Sequence, residues 1–156
     1  GRINLIGAFE LGTGAFYGVL TQFRVNAMRF RRFLCHLKRE MQTDKLLLIC
    51  DNASFHKAKW LTEWVETHKE WLRLEFLPAY SPDFNPIERL WRWIKSEYLH
   101  NRCWKSLADL KTYLEEIMVK IQQKPAELTG VMRKEIQRLN TVFEFYETPS
   151  PFQNFA

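Results

Sequence analysis

The sequence predicts a mixed α/β domain in which helices cover a single sheet, and three observations lead there. Segments with strand and helix periodicity alternate in the order strand, strand, helix, strand, helix, strand, helix, helix. One strand, Leu46-Leu47-Leu48-Ile49, is apolar without interruption, the pattern of a strand buried on both faces inside a sheet. The chain has 156 residues, 46% hydrophobic and 26% charged, enough for one globular domain with a real core.

Residues 3–10 and 15–25 read as strands rich in Ile, Leu, Phe, Tyr and Val, joined by a hairpin turn at Leu11-Gly12-Thr13-Gly14. A helix follows over Ala27–Met41, with Phe30, Phe33, Leu34, Leu37 and Met41 on one apolar stripe. Lys45–Cys50 is the buried strand, and Asp51-Asn52 ends it. The next helix spans Lys57–Lys69, with Leu61, Trp64, Val65 and His68 on one side. Leu72–Leu77 alternates like a strand, and the proline-containing stretch from Pro78 to Pro86 is a loop. Pro86–His100 reads as a strong helix. Another begins at the cap Ser106-x-x-Asp109 and ends before Pro125, burying Leu107, Leu110, Leu114, Ile117 and Ile121. The division expected is 1–125 for the main domain and 126–156 for a tail with one short helix, irregular from Thr148 to Ala156.

Several classes drop out early. Cys35, Cys50 and Cys103 are odd in number and form no CxxC pair, so neither a disulfide framework nor a zinc site is indicated. No apolar run approaches the roughly 20 residues that cross a bilayer. The opening Gly1-Arg2-Ile3-Asn4 lacks the pattern of a signal peptide, so a cytoplasmic location and no membrane partner are expected. Gly1 is not Met, and residues 3–9 read as the interior of an element, so the chain is expected to be an excised or truncated segment. A net charge of +5 and a pI of about 9.2 are compatible with a polyanionic partner, although many basic proteins bind none.

Two carboxylates are candidates for chemistry. Asp51 follows a buried strand, and open α/β sheets handle ligands at the carboxyl ends of their strands. On position alone it reads more readily as a turn residue before the next helix. Asn85 reads as a helix cap, Pro86 as the first helical residue and Glu88 as the third, a capping-box arrangement that by itself explains the glutamate. Glu88 could also pair with Arg92 at i+4. The stripe Ile87, Leu90, Trp91, Ile94 and Tyr98 leaves Glu88 at its edge, where it can face the end of a strand. Carboxylates brought to one edge repel and need a cation, and hard oxygen ligands select Mg²⁺ or Mn²⁺. Such a pair suits two-metal phosphoryl transfer. Periodicity permits this convergence without establishing it.

Two longer motifs go further. Asp51-Asn52-Ala53-Ser54-Phe55-His56 is of the form DNxxxH, and Leu77 to Trp91 is of the form LPxYSPxxNPIExxW. With 36 residues between Asp51 and Glu88, the pair resembles the DDE transposases of bacterial insertion sequences in the Tc/mariner superfamily, from Asn4 to about Leu114. The resemblance implies a ribonuclease H-like fold, a mixed central sheet flanked by helices with its first strand missing here. It implies a two-metal site for Mg²⁺ or Mn²⁺ and cleavage and joining of DNA at transposon ends. Transposon-end and target DNA become the expected partners, a homodimer an expected assembly, and a bacterial or archaeal nucleoid the expected setting. Carried over by motif, Asp51 is the second acid and Glu88 the third, both metal ligands, with Asn52 and His56 flanking the site and Asn85 and Pro86 setting the helix of Glu88. His56 is read either as a group that orients the site or contacts DNA, or as a local bond at a helix start. Asp83 reads as a turn residue.

The chain departs from the family at its first acid. No aspartate precedes Asp44, which opens a different strand, and Glu10 belongs to the wrong strand. The helix-turn-helix region that reads transposon ends is absent too. The isolated chain is therefore expected to bind metal poorly and not to catalyse, the alternative function being a remnant that binds DNA or dimerises. A ribonuclease H-type nuclease acting on another nucleic acid fits the metal chemistry but not the YSPxxNPIE loop.

Arg89, Arg92 and Lys95, near Glu88, are the expected DNA contacts. Arg29, Arg32, His36 and Arg39 form a basic stripe that reads as a phosphate contact or a solvated face. Tyr80 or Trp93 could stack on an unpaired base, whereas Trp60, Trp64 and Trp91 read as core.

Overall fold

A computed structural model describes residues 1–79, 85–142 and 154–155. The hairpin forms as expected, β1 (Asn4–Glu10) pairing antiparallel with β2 (Phe16–Thr21) from Asn4 opposite Thr21 to Phe9 opposite Phe16. Its turn depends on Gly14, which sits at φ 75° and donates its N–H to the Glu10 carbonyl at 2.9 Å. A Cβ there would also lie 2.6 Å from the Pro125 carbonyl oxygen, so only glycine fits both demands. The second strand stops at Thr21, short of residue 25, because the chain must turn to reach Asn26. The Asn26 side chain caps α1 (Ala27–Met41) by accepting the Arg29 N–H at 3.0 Å.

Along α1 the buried residues include Phe30, Phe33, Leu34 and Leu37, the stripe read from the spacing. All five residues of β3 (Leu46–Cys50) are buried. A 3₁₀ turn (Ser54–Lys57) and α2 (Lys59–Thr67) carry the chain back to β4 (Leu72–Phe76), parallel to β3. That crossover is the connection a parallel pair requires. The Leu77 N–H donates to the Cys50 carbonyl at 2.8 Å, extending the pairing one residue past the strands.

The expected loop falls largely outside the described residues; beyond it come α3 (Pro86–Ile94), ending in a π turn over Lys95–Leu99, and α4 (Leu107–Gln122). The tail holds two helices rather than one, α5 (Pro125–Val131) and α6 (Arg133–Val142). Within the stretch expected to be irregular, Asn154–Phe155 forms a short strand, β5. It lies between the hairpin and the parallel pair, antiparallel to β1 and parallel to β3, giving the order β2-β1-β5-β3-β4. Two residues have no periodicity to read, so the sequence concealed it. Among the described residues β5 pairs only with Phe9–Glu10 and Leu48–Ile49, leaving the facing edges of β1 and β3 otherwise unjoined.

The sheet separates two apolar layers. Ala8, Leu46, Leu48 and Cys50 point to the side packed with α1 and Leu61 of α2. Phe9 and Phe16 point to the other, with Ile87, Leu90 and Ile94 of α3, Ile117 and Ile121 of α4, and Leu128 and Met132 beyond. One expectation fails: Trp60 is 40% exposed rather than core, with the Arg31 guanidinium 6.0 Å from its ring. It falls in the first turn of α2, on the solvent side of the stripe carried by buried Leu61.

The contact that seats α3 is its Trp91 ring, which lies over Gly7 in β1 where any Cβ would collide with it. The same Cβ would come within 2.9 Å of Phe16. Gly7→Ala should therefore cost about 1–3 kcal/mol, the usual penalty of overpacking, read as a lower urea midpoint. A midpoint equal to that of the parent chain would show that α3 is not seated on this glycine.

Candidate active site

Asp51 and Glu88 come from different elements, separated along the chain by α2 and β4. Asp51 follows the last residue of β3, at the carboxyl end of the parallel pair. Glu88 sits in the first turn of α3. The buried Asn85 starts that helix, its side chain accepting the Ile87 N–H at 3.3 Å, with Pro86 at the first position. Burial of Ile87 and Leu90 then orients the helix so that Glu88 faces the strand end. Both carboxylates line one cleft of about 240 Å³, together with His56, Phe30 and Trp91.

Their surroundings differ. Asp51 Oδ1 accepts the Ala53 N–H at 3.0 Å and lies 3.0 Å from His56 Nδ1. His56 Nδ1 is also 3.2 Å from the Asp51 carbonyl oxygen. Both neighbours of that nitrogen are acceptors, so Nδ1 carries a proton and donates. The imidazole is only 6% exposed, wedged against the rings of Phe30 and Phe55, each 4.3 Å away between centroids. His56 thus orients Asp51 and offers little to an outside ligand. Its hydrogen bond holds the Asp51 carboxyl below the usual aspartate range, with the Ala53 N–H adding to it and burial working against both.

Glu88 is the opposite case. No hydrogen bond or ion pair among the described residues holds its carboxylate, so it neither closes a capping box onto Asn85 nor pairs with Arg92. Burial pushes its carboxyl above the usual glutamate range, the Asp51 charge pushes the same way, and Lys95 and Arg92 pull it back.

The remaining candidates sort by position. Asn52 braces the structure, its amide donating to the Leu77 carbonyl and accepting from the Lys57 ammonium. Arg92 and Lys95 are exposed and Arg89 half-buried on the outer side of α3. The stripe on α1 is locally engaged: Arg29 stacks on Phe23 at 4.7 Å, and Arg39 lies 3.8 Å from Glu40. Trp93 packs edge-on against Tyr98 at 5.5 Å. Glu10 accepts the Thr13 hydroxyl at 2.7 Å within the hairpin turn. Tyr80 and Asp83 fall outside the described residues. Among the described residues no three His, Cys, Asp or Glu side chains converge as a metal site. Two carboxylates, one with no partner, are the hard oxygen donors that a Mg²⁺-like cation takes while keeping several waters.

Comparison with known proteins identifies the family and the fold. The family model described as DDE superfamily endonuclease matches residues 1–111. An uncharacterized protein of Sinorhizobium fredii is 28% identical over 89 residues, covering 57% of this chain and 62% of that one. The insertion element IS630 uncharacterized 39 kDa protein of Shigella sonnei is 30% identical over 121 residues, 74% of this chain and 35% of that one. The chain therefore spans less than two thirds of either relative. The crystal structure of the catalytic domain of Mos1 mariner transposase superposes with a TM-score of 0.53 at 23% identity, covering 81% of this chain and 69% of that chain. The Mos1 mariner paired end complex with Mn gives 0.57 at 21% identity, covering 85% and 42%. The fold is accordingly ribonuclease H-like, a mixed sheet between helical layers. Among the described residues no helix is long and apolar enough to cross a membrane.

The two carboxylates predict opposite effects on stability. Asp51 has a lowered folded pKa, so its contribution is complete above the unfolded value of about 3.9 and is lost as pH falls through the folded one. Glu88 has a raised folded pKa, so stability declines as pH rises from about 4.3 through the folded value and stays reduced above it. At pH 7 Glu88→Gln should raise Tm by roughly 1–2 °C, about 0.5 kcal/mol once solvent screening is discounted. Asp51→Asn should lower Tm; the Glu88 difference should fade toward pH 4, whereas the Asp51 difference should persist there and shrink only as pH falls below about 3.9. Thermal melts across that range check the signs, and a Tm loss in Glu88→Gln would contradict the strained-carboxylate reading.

Proposed function

Because the chain belongs to the DDE superfamily endonuclease family, the catalytic-domain family of transposases, we propose that it is the catalytic part of an insertion-sequence transposase. Its reaction is metal-dependent cleavage and joining of DNA strands at transposon ends. The observation that carries this reading is the half-buried, unpartnered Glu88 sharing a cleft with Asp51. A structural glutamate would be capped or paired, whereas a ligand is held open.

In this reading Asp51 and Glu88 are the metal ligands, with residues 1–125 as the main part of the catalytic unit and 126–156 as a tail whose helices and short strand pack onto it. A bound Mg²⁺ or Mn²⁺ supplies charge neutralisation at the scissile phosphate and activation of the attacking oxygen. The chain's own residues do the positioning. His56 fixes the Asp51 carboxylate through Nδ1, leaving Oδ2 for the cation. Asn85 and Pro86 set the first turn of α3, which presents Glu88. Arg89, Arg92 and Lys95 steer DNA phosphates toward the cleft, which in the cell are those of the host nucleoid. Transposon-end and target DNA are the partners, and joining two ends calls for two copies of the chain.

Two carboxylates make a weak site, so the described chain binds metal loosely and does not catalyse until a further carboxylate joins them. The second reading, a non-enzymatic module that binds DNA or dimerises, is favoured by the absence of a third converging donor among the described residues.

Metal binding by the chain itself is the first test. MnCl₂ should raise Tm by mass action, and Asp51→Asn or Glu88→Gln should abolish the rise; an equal rise in both variants would refute the site. In a chain extended upstream of Gly1 by a strand bearing an aspartate, Mn²⁺-dependent nicking of insertion-element-end DNA is expected, falling ~100-fold or more in either variant. Persistent inactivity of the folded, extended chain would favour the non-enzymatic module.

A further inference from the structure

A second cleft opens beside the first. It has a volume of about 690 Å³ and is lined by Arg89 and Arg92 of α3 and by Lys134, Glu135 and Arg138 of α6. Arg89 and Arg92 are three residues apart on α3 and Lys134 and Arg138 four apart on α6, so each pair shares one helix face. Four cations thus meet one carboxylate in a single depression. None of the four takes part in an ion pair among the described residues.

Two features separate this cleft from scattered solvated cations. Its walls are fixed, because Leu90 and Ile94 of α3 are buried on one side and Leu128, Met132 and Leu139 on the other. Like charges on facing helices repel, and here the packing of the two helices keeps the residues that carry them on one cleft. The two clefts also share a helix, since Arg89 and Arg92 of α3 line the basic one and Ile87, Glu88 and Trp91 of α3 line the acidic one. A polyanion whose one phosphate reaches Asp51 and Glu88 would set its neighbours along the basic walls.

We propose that this cleft seats the sugar-phosphate backbone of duplex DNA next to the cleavage point, with Lys134 and Arg138 as binding residues in addition to those of α3. The proposal rests on the reading of Asp51 and Glu88 as the site of phosphate chemistry. Guanidinium groups grip phosphate oxygens in pairs and ammonium groups act as point charges. The seat fixes position and carries no base readout, so it holds all sequences alike.

The test compares DNA affinity from 50 to 200 mM salt for the parent chain, the Lys134→Gln/Arg138→Gln double variant, and a control, Lys59→Gln/Lys69→Gln, whose lysines are exposed on α2 and just beyond it. Each lost phosphate contact should reduce the slope of log affinity against log salt by about 1. The cleft variant is therefore expected to lose about 2 from the slope and to weaken for every sequence tested. The control should keep the parent slope. Equal slopes in the cleft variant and the parent would overturn the cleft while leaving the active-site reading intact, as would an equal loss in the control. A cleft-dependent slope without any Mn²⁺ response at Asp51 and Glu88 would sink the active-site reading and the placement beside a cleavage point, leaving a cleft that only binds backbone. A parent chain that binds no DNA at any salt would overturn both.

Discussion

The constraint on which the site depends is the forced company of two carboxylates. Left to itself Glu88 would move away from Asp51 or find a cation, yet α3 holds it half-buried and without a bonded partner. The magnitudes explain why. Fully burying an Ile or Leu side chain is worth about 1.5–3 kcal/mol, and α3 buries Ile87, Leu90 and Ile94. A screened repulsion between carboxylates costs about 1 kcal/mol. The apolar face therefore decides the rotation of the helix, and the glutamate goes where that rotation takes it.

The sheet supplies the other half of the arrangement. Parallel pairing of β3 with β4 puts the ends of both strands at one margin, and the chain leaves β3 directly into Asp51. Ala53 and His56 then fix the carboxylate from within the same turn, while Asn52 ties that turn to Leu77 at the end of β4. One aspartate is satisfied and one glutamate is not. That asymmetry sets a carboxylate held by hydrogen bonds beside one held only by the packing of its helix.

Charge is laid out along α3 in the same economical way. Glu88 faces the acidic cleft, Arg89 and Arg92 face the basic one, and Lys95 follows one turn after Trp91. The net charge of +5 is diffuse in the sequence. Folding concentrates part of it where α3 meets α6, two helices brought side by side by the core they share.

Most elements were legible from the residues alone, because side-chain periodicity reports which face is buried. The stripe of Phe30, Phe33, Leu34 and Leu37, the apolar run of β3 and the Asn85-Pro86 start of α3 each carried their own signal. The motifs around Asp51 and Glu88 carried the family resemblance. Trp60 escaped because one aromatic beside a buried leucine does not say on which side of the helix boundary it falls. Asn154–Phe155 escaped because a two-residue strand is defined by its partners and not by its own pattern. Tertiary structure alone decided whether Glu88 closed a cap or stood in a cleft with Asp51, whether His56 turned outward or bonded Asp51, and whether Lys134 and Arg138 stood near Arg89 and Arg92. Those are relations between residues far apart along the chain. Local periodicity and propensity contain no term for such distances, and only the packing of helices on the sheet sets them.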